Sequence, residues 1–381
     1  MSAFDWIGNA ADLDQLIDEL LESPEYALDT EFHRERSYYP KLALVQVATA
    51  SRVALVDPLA VDVSVLRRVF EGPGLCTMHA CSQDLEILLL ECGCLPSRIF
   101  DTQVAALFVG YRTASLAKLV EELLGLTLDK SSQLSDWTQR PLPDRDQRYA
   151  ASDVTHLIDL RAALTAKLEA AGRLPWAEEE MERLRSKDRT RPDPDTLWWK
   201  LRGKSKLGGR ARGVAQALAR WRDELAERQN RPPRTVLSDM ALLSLAQRPP
   251  RSAQDLRGVR NFDPRRFKHT DDLLDTIRRG AKLSKGELKL PPKKPANLPE
   301  VDGVAALCLA WLTKRARDEG IDPSVLGTRD DVTGLVLNKD SRLARGWRHE
   351  LVGHELRSII DGSTALRVVG TDLELLDRTA S

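Results

Sequence analysis

The stretch YALDTEF, residues 26–32, decides how the N-terminal part of the chain folds. It is short, apolar and aromatic, with two carboxylates one residue apart. KLALVQVAT (41–49) and RVALVDP (52–58) follow, and all three read as strands rich in Val, Leu and aromatic side chains. Only a few residues separate the last two, which predicts antiparallel neighbours. On a strand, residues i and i+2 face the same way, so Asp29 and Glu31 project together from one side of the sheet. Two like charges so placed are costly unless a cation sits between them. An Asp-x-Glu pair is common by chance, and most such pairs are simply solvated. The pair acquires meaning only from what accompanies it.

Outward from that stretch, ADLDQLIDELLES (11–23) is an amphipathic helix with Leu13, Leu16, Ile17, Leu20 and Leu21 on one side. VSVLRRVFEG (63–72) reads as another helix. CTMHA (76–80) reads as a short strand leading into the helix SQDLEILLLE (82–91), and Asp84 stands where that helix starts. From Thr102 to about Ala171 the signals are mostly helical. In RYAASDV, Tyr149 and Asp153 lie one turn apart on one helix face. The pattern predicts a mixed α/β domain, a central sheet with helices packed on it. Asp29, Glu31, Asp84, Asp153 and the Tyr149 phenol form a hard, all-oxygen set, suited to Mg²⁺ or Mn²⁺ rather than zinc. Two such ions about 3.5–4 Å apart can clamp the attacking and leaving oxygens of a phosphodiester. Tyr149 is placed to orient the attacking water.

The 381 residues carry 57 basic and 57 acidic side chains, so the net charge is zero. That excludes a uniformly basic binder and an acidic disordered chain. The balance hides a segregation: residues 1–180 carry −13, residues 181–294 carry +16, and residues 295–381 carry −3. Lys and Arg contacts to phosphate dominate nucleic-acid affinity, so the basic middle points to nucleic acid. The competing reading is a set of solvated helix faces.

After Ala170 the periodicity weakens. RLRSKDRTRPDPDTLWWKLRGKSKLGG (183–209) reads as a basic connector with a short helix around Trp198 and Trp199. Residues 209–280 read as several short helices, LPPKKPANLP (290–299) as a proline-stiffened linker, and residues 300–375 as short helices again. The last two helical segments each open with a long helix carrying a Trp and several Arg, as divergent copies of one module would. The chain has no run of 18 apolar residues and five cysteines, and MSAFDWIGNAADLD lacks a secretory pattern. The expectation is a disulfide-free cytoplasmic protein that does not enter a membrane. Without a sustained heptad seam, a monomer is expected.

At this point the motifs are recognisable. LDTEFHRERSYYPKLALVQVA (28–48) resembles the first exonuclease motif of the DEDD superfamily, HACSQDLEIL (79–88) with IFDTQVAA (99–106) resembles the second, and SDWTQRPLPDRDQRYAASDVTHL (135–157) the third. Tyr149 matches the subgroup with tyrosine in that motif. Residues 212–262 resemble the HRDC domain, a helical nucleic-acid-binding module, and the whole is similar to the ribonuclease D family. The resemblance implies a ribonuclease H-like α/β exonuclease domain with a mixed central sheet, followed by two small all-α HRDC-type domains. The implied boundaries are 1–172 for the exonuclease, 173–208 for a basic connector, 209–289 for HRDC, 290–299 for the linker and 300–381 for a second HRDC-like unit.

The same resemblance implies 3′→5′ release of nucleoside 5′-monophosphates from RNA, with precursor tRNAs and other small structured RNAs as substrates. Asp29, Glu31 and Asp153 would then hold the ion on the nucleophile side. Asp29 would bridge to a second ion that Asp84 helps to hold, through water or directly, and Tyr149 would position the attacking water. Two alternatives stay open at this level: a 3′→5′ DNA exonuclease sharing the motif set, and a non-catalytic RNA-binding scaffold.

Other residues compete for attention. Cys76, Cys81, Cys92 and Cys94 are spaced poorly for zinc and read as buried thiols. His33, Arg34, Arg36, Tyr38 and Tyr39 either line the entry for an RNA 3′ end or form a polar loop with its tyrosines on the sheet edge. His79 reads as structural. Trp198 and Trp199 stand among Lys200, Arg202, Lys204, Lys206, Arg210 and Arg212. That patch predicts packing for at least one indole and RNA contact for the cations.

Overall fold

In the computed structural model the described residues are 4–377, apart from 113, 129–134, 261, 266 and 293–298. The chain divides into two units: residues 1–31, 42–187 and 294–381 form one, and residues 32–41 and 188–293 the other.

The first unit is built on a six-stranded sheet. Its elements are β1 (Asp5–Ile7), α1 (Ala10–Glu22), β2 (Glu25–His33), β3 (Lys41–Ala48), β4 (Val53–Val56), α2 (Arg67–Phe70), β5 (Leu75–Met78), α3 (Asp84–Cys92), β6 (Arg98–Asp101) and α4 (Thr102–Leu107). The helices α5 (Leu116–Leu124), α6 (Asp144–Thr155), α7 (Leu157–Ala170) and α8 (Leu174–Arg185) follow. The strand order is β1-β4-β3-β2-β5-β6. β3 and β4 pair antiparallel, Val45 opposite Val56, as their spacing predicts. β2, β5 and β6 run parallel, so the sheet is mixed. β3 is buried from Leu42 to Ala48, the apolar run of a strand covered on both faces. α1 starts where the Asn9 side chain accepts the Asp12 N–H, and it buries Leu13, Leu16, Ile17 and Leu20. Each such side chain contributes about 2 kcal/mol by leaving water.

The second unit contains α9 (Gly209–Arg228), α10 (Pro233–Val236), α11 (Asp239–Gln247) and α12 (Thr270–Gly280). α9 and α12 cross at glycines: a Cβ on Gly213 would meet the Gly280 carbonyl oxygen at 2.4 Å, so no larger residue fits without moving the helices apart. Trp198 is fully buried in this core with Leu218, Leu242 and Leu273. The indoles of Trp198 and Trp199 both donate to the Lys289 carbonyl, at 3.1 and 2.9 Å. Both tryptophans therefore serve packing, in a 3-10 helix spanning Pro194–Lys200.

Residues 32–41 also belong to this unit. The Tyr38 hydroxyl donates to Asp223 at 2.9 Å, and the Tyr39 hydroxyl donates to Glu227. Arg191 bridges the same two carboxylates and lies over the Tyr38 ring. The acids that hold these hydroxyls stand toward the end of α9, 185 or more residues away.

The C-terminal stretch rejoins the first unit. It contains α13 (Pro299–Asp318), α14 (Pro323–Leu326), α15 (Arg329–Val336), α16 (Gly346–Arg348) and α17 (His354–Asp361). The expectation of helices alone needs correction. An antiparallel hairpin, β7 (Thr364–Val369) and β8 (Asp372–Asp377), closes the described chain, turning at Gly370 with φ +61°. Trp347 stacks on Trp176 of α8 with ring centroids 4.8 Å apart. The buried Arg348 guanidinium pairs with Glu180 and donates to the Val325 carbonyl at 3.0 Å. Arg173 donates to the carbonyls of Phe108 and Glu319, so the C-terminal helices and the exonuclease helices share one packed interface. The expected linker at 290–299 falls largely outside the described residues.

Candidate active site

β2 carries Asp29 and Glu31 with Thr30 between them, and α6 carries Asp153. One carboxylate oxygen from each of Asp29, Glu31 and Asp153 lies within 4.8 Å of the other two. Among the described residues this is the one cluster of three or more groups able to hold a metal ion in that way. The strand supplies two acids by its two-residue repeat, and the helix brings in the third from more than 120 residues away.

α6 is fixed from outside the cluster. The Arg140 guanidinium grips Asp57 with two bonds of 2.7 and 2.6 Å and donates to the carbonyls of Ala43 and Trp137. The segment entering α6 is thereby tied to the sheet. Trp137 is buried and packs against the Tyr149 ring, centroids 6.1 Å apart. One turn on, the Tyr149 hydroxyl bonds the Asp153 carboxylate, as their shared helix face predicts.

Asp84 lies in the first turn of α3, buried at 7% exposure. It stands beside the trio rather than inside it, and its Oδ1 accepts a 2.5 Å hydrogen bond from the Thr30 hydroxyl. The turn before it is held by Asp101, whose carboxylate accepts the backbone N–H groups of Ala80, Cys81, Gln103 and Val104. Sequence reasoning passed over Thr30, Asp101, Trp137 and Arg140. For Asp101 a signal existed, an aspartate at the strand-to-helix junction of IFDTQ, which is the position of an N-cap.

The electrostatics fit a cation. Burial holds the Asp29 carboxyl well above the usual carboxylate range, and Asp84, Asp153 and Glu31 push it further. Burial, with Asp153 and Asp84, raises Glu31 to about 8. Burial raises Asp153 to about 7, against the lowering effect of the Tyr149 hydrogen bond. Converging half-buried carboxylates resist ionising together, and a divalent ion removes that conflict. The donor set, all oxygen and acidic, suits a hard cation.

His79 and the cysteines have structural surroundings. His79 Nδ1 lies 2.9 Å from the Thr102 hydroxyl, and burial lowers its pKa, so it is a neutral group at the strand end. All five cysteines are free, with Cys76, Cys81 and Cys92 buried. Among the described residues, no helix is long and apolar enough to cross a membrane.

Acids from β2, α3 and α6 on a mixed sheet define the class, and the comparisons agree. The profile of the 3′-5′ exonuclease family matches residues 4–169, and that of the HRDC domain matches residues 211–277. The ribonuclease D of Gluconacetobacter diazotrophicus is 34% identical over 374 residues, covering 96% of this chain and 95% of its own. That of Pseudomonas paraeruginosa is 34% identical over 376 residues, covering 94% and 98%.

Among solved structures, Escherichia coli RNase D, described as an exoribonuclease involved in structured RNA processing, superposes with a TM-score of 0.84. It has 30% identity over 95% of this chain and 99% of that one. The catalytic core of RRP6 from Trypanosoma brucei gives 0.62, with 26% identity over 74% of this chain and 80% of that one. The chain belongs to the ribonuclease D family. It is a hydrolytic 3′→5′ exoribonuclease whose exonuclease fold implies divalent-metal use and whose substrate is RNA.

Proposed function

We propose that the chain removes single nucleotides from RNA 3′ ends, releasing nucleoside 5′-monophosphates, with precursor tRNAs and other small structured RNAs as substrates. The observation that carries this reading is the convergence of Asp29, Glu31 and Asp153 within 4.8 Å. Asp29, Glu31 and Asp153 would hold one divalent ion, Mg²⁺ or Mn²⁺. Asp29 with Asp84 would hold a second. When bound, such a pair supplies a more acidic water and charge to stabilise the departing 3′-oxygen. The protein's own part is positional. The Tyr149 hydroxyl, now on Asp153, orients the attacking water once the carboxylates are engaged. The packing of Trp137 and the grip of Arg140 on Asp57 keep α6 in register with β2.

The +16 segment falls mostly in the second unit and supports RNA capture through phosphate contacts. We assign residues 1–172 to the exonuclease, 209–289 to HRDC and 300–381 to a second, divergent HRDC-like unit. The buried free thiols suit a reducing cytoplasm, and we place the protein there as a monomer. The test is product analysis on a tRNA bearing a 3′ extension, with Mg²⁺ and with chelator. Stepwise 5′-monophosphate release that stops with chelator is expected. Matched RNA and DNA oligonucleotides go in parallel, and a preference for DNA refutes the proposal.

A further inference from the structure

We propose that Thr30, which sits between the two first-motif acids, is a positioning residue for the second ion site: its hydroxyl fixes the carboxylate of Asp84. This deepens the two-ion reading above and rests on it. Strand alternation gives Thr30 the opposite pleat from Asp29 and Glu31, so it is not itself a ligand of their cluster. It is buried, at 5% exposure, and its hydroxyl donates to Asp84 Oδ1 at 2.5 Å. Asp84 is thereby tied to the strand that carries Asp29 and Glu31, through the residue between them. The side chain that would complete the second ion's shell is thus oriented by the residue next in sequence to the bridging acid. A β-branched side chain on a strand has few rotamers, so the hydroxyl is aimed with little loss of entropy.

The backbone beneath Asp84 is equally constrained. Ala80 has φ +56°, a left-handed conformation that is costly for a non-glycine residue. Asp101 offsets that cost with bonds of 3.1 and 2.9 Å from the N–H groups of Ala80 and Cys81. The Thr102 hydroxyl donates to the Met78 carbonyl at 3.1 Å. Leu85 N–H then donates to the Cys81 carbonyl at 2.9 Å as the first turn of α3 forms. Asp101 sets where Asp84 begins, and Thr30 sets where its oxygen ends.

The test compares Thr30→Val, which keeps the shape and removes the hydroxyl, with Thr30→Ser, which keeps the hydroxyl. Mn²⁺ binding to the full-length protein is counted by electron paramagnetic resonance without RNA, and kcat and KM are measured on a 3′-extended RNA across Mn²⁺ concentrations. For Thr30→Val, the weaker of two Mn²⁺ binding events should lose roughly tenfold in affinity, the usual consequence of deleting a hydrogen bond to a metal-binding carboxylate. The kcat at limiting Mn²⁺ should fall in step and recover at high Mn²⁺, with KM for RNA unchanged. Thr30→Ser should behave as the native protein.

Native two-ion binding and native metal response in Thr30→Val overturn the inference. Asp153→Asn serves as the control for the site itself. If it binds two Mn²⁺ ions like the native protein, the two-ion reading falls and this inference with it. If it does not, while Thr30→Val is unaltered, only the role of Thr30 falls. Should Thr30→Val fail to fold, Thr30→Ala carries the same comparison.

Discussion

Glu31→Gln should abolish hydrolysis and, in the ion-free protein, stabilise the fold. Glu31 rises from its usual 4.5 to about 8 in the folded chain, chiefly through burial, then through Asp153 and Asp84. A carboxyl whose folded pKa is raised makes the folded state bind more protons than the unfolded state. Stability is therefore undiminished below pH 4.5, falls as pH rises, and levels off above about pH 8. At about 1.4 kcal/mol per pH unit across that window, the ceiling is about 5 kcal/mol. Glu31 shares its protons with Asp29 and Asp153, and relaxation of the site relieves part of the repulsion, so ~2 kcal/mol is the working figure. For a unit this large that is roughly 4–8 °C in melting temperature.

The assay is calorimetric melting of both proteins in chelator from pH 4.5 to 9. The two should coincide at pH 4.5 and diverge to their full difference by pH 8, with the variant more stable. Added Mn²⁺ should close the gap by stabilising the native protein more. Equal melting at every pH, or a gain that does not change with pH, would refute the argument that charge crowding shapes this cluster.

Asp29→Asn and Asp153→Asn should each stop nucleotide release while leaving RNA affinity within about twofold, since metal-dependent chemistry and phosphate capture use different residues. Filter binding beside a gel assay checks this, and near-native activity in either variant rejects the site. Glu180→Ala should destabilise the first unit by about 3 kcal/mol, because it leaves the buried Arg348 guanidinium without its main partner. A melting temperature within 1 °C of native would show that the Arg348–Glu180 pair does not stabilise that interface. RNA binding should weaken at least roughly tenfold between 50 and 200 mM salt, read by fluorescence anisotropy, if several phosphates meet the basic segment. A flat response would leave the +16 charge to solvated faces.

The acids were legible because their signals are local. Asp29 and Glu31 are two residues apart on a strand, and Tyr149 and Asp153 are four apart on a helix, so backbone periodicity alone puts each pair on one face. The partners of Asp84 and Asp101 were hidden because they lie 54 and about 20 residues away and meet only through the sheet order. The partners of Tyr38 and Tyr39 were hidden for the same reason, since they sit on α9. The C-terminal hairpin went unseen although Gly370 and Thr371 separate two alternating runs, a recognised turn signal that the helical neighbourhood masked.

Sequence by itself determined the strands β2 to β4, the shared face of Asp29 with Glu31 and of Tyr149 with Asp153, and the acidic-to-basic division of the chain, because periodicity and charge are properties of neighbours. The tertiary structure decided the rest. It brought Asp153 to Asp29 and Glu31, set Asp84 beside them on the Thr30 hydroxyl, and returned the C-terminal helices to the exonuclease through Arg348 and Trp347. Those contacts depend on which strands adjoin and which helices pack, and long-range packing settles that only when the whole chain has folded.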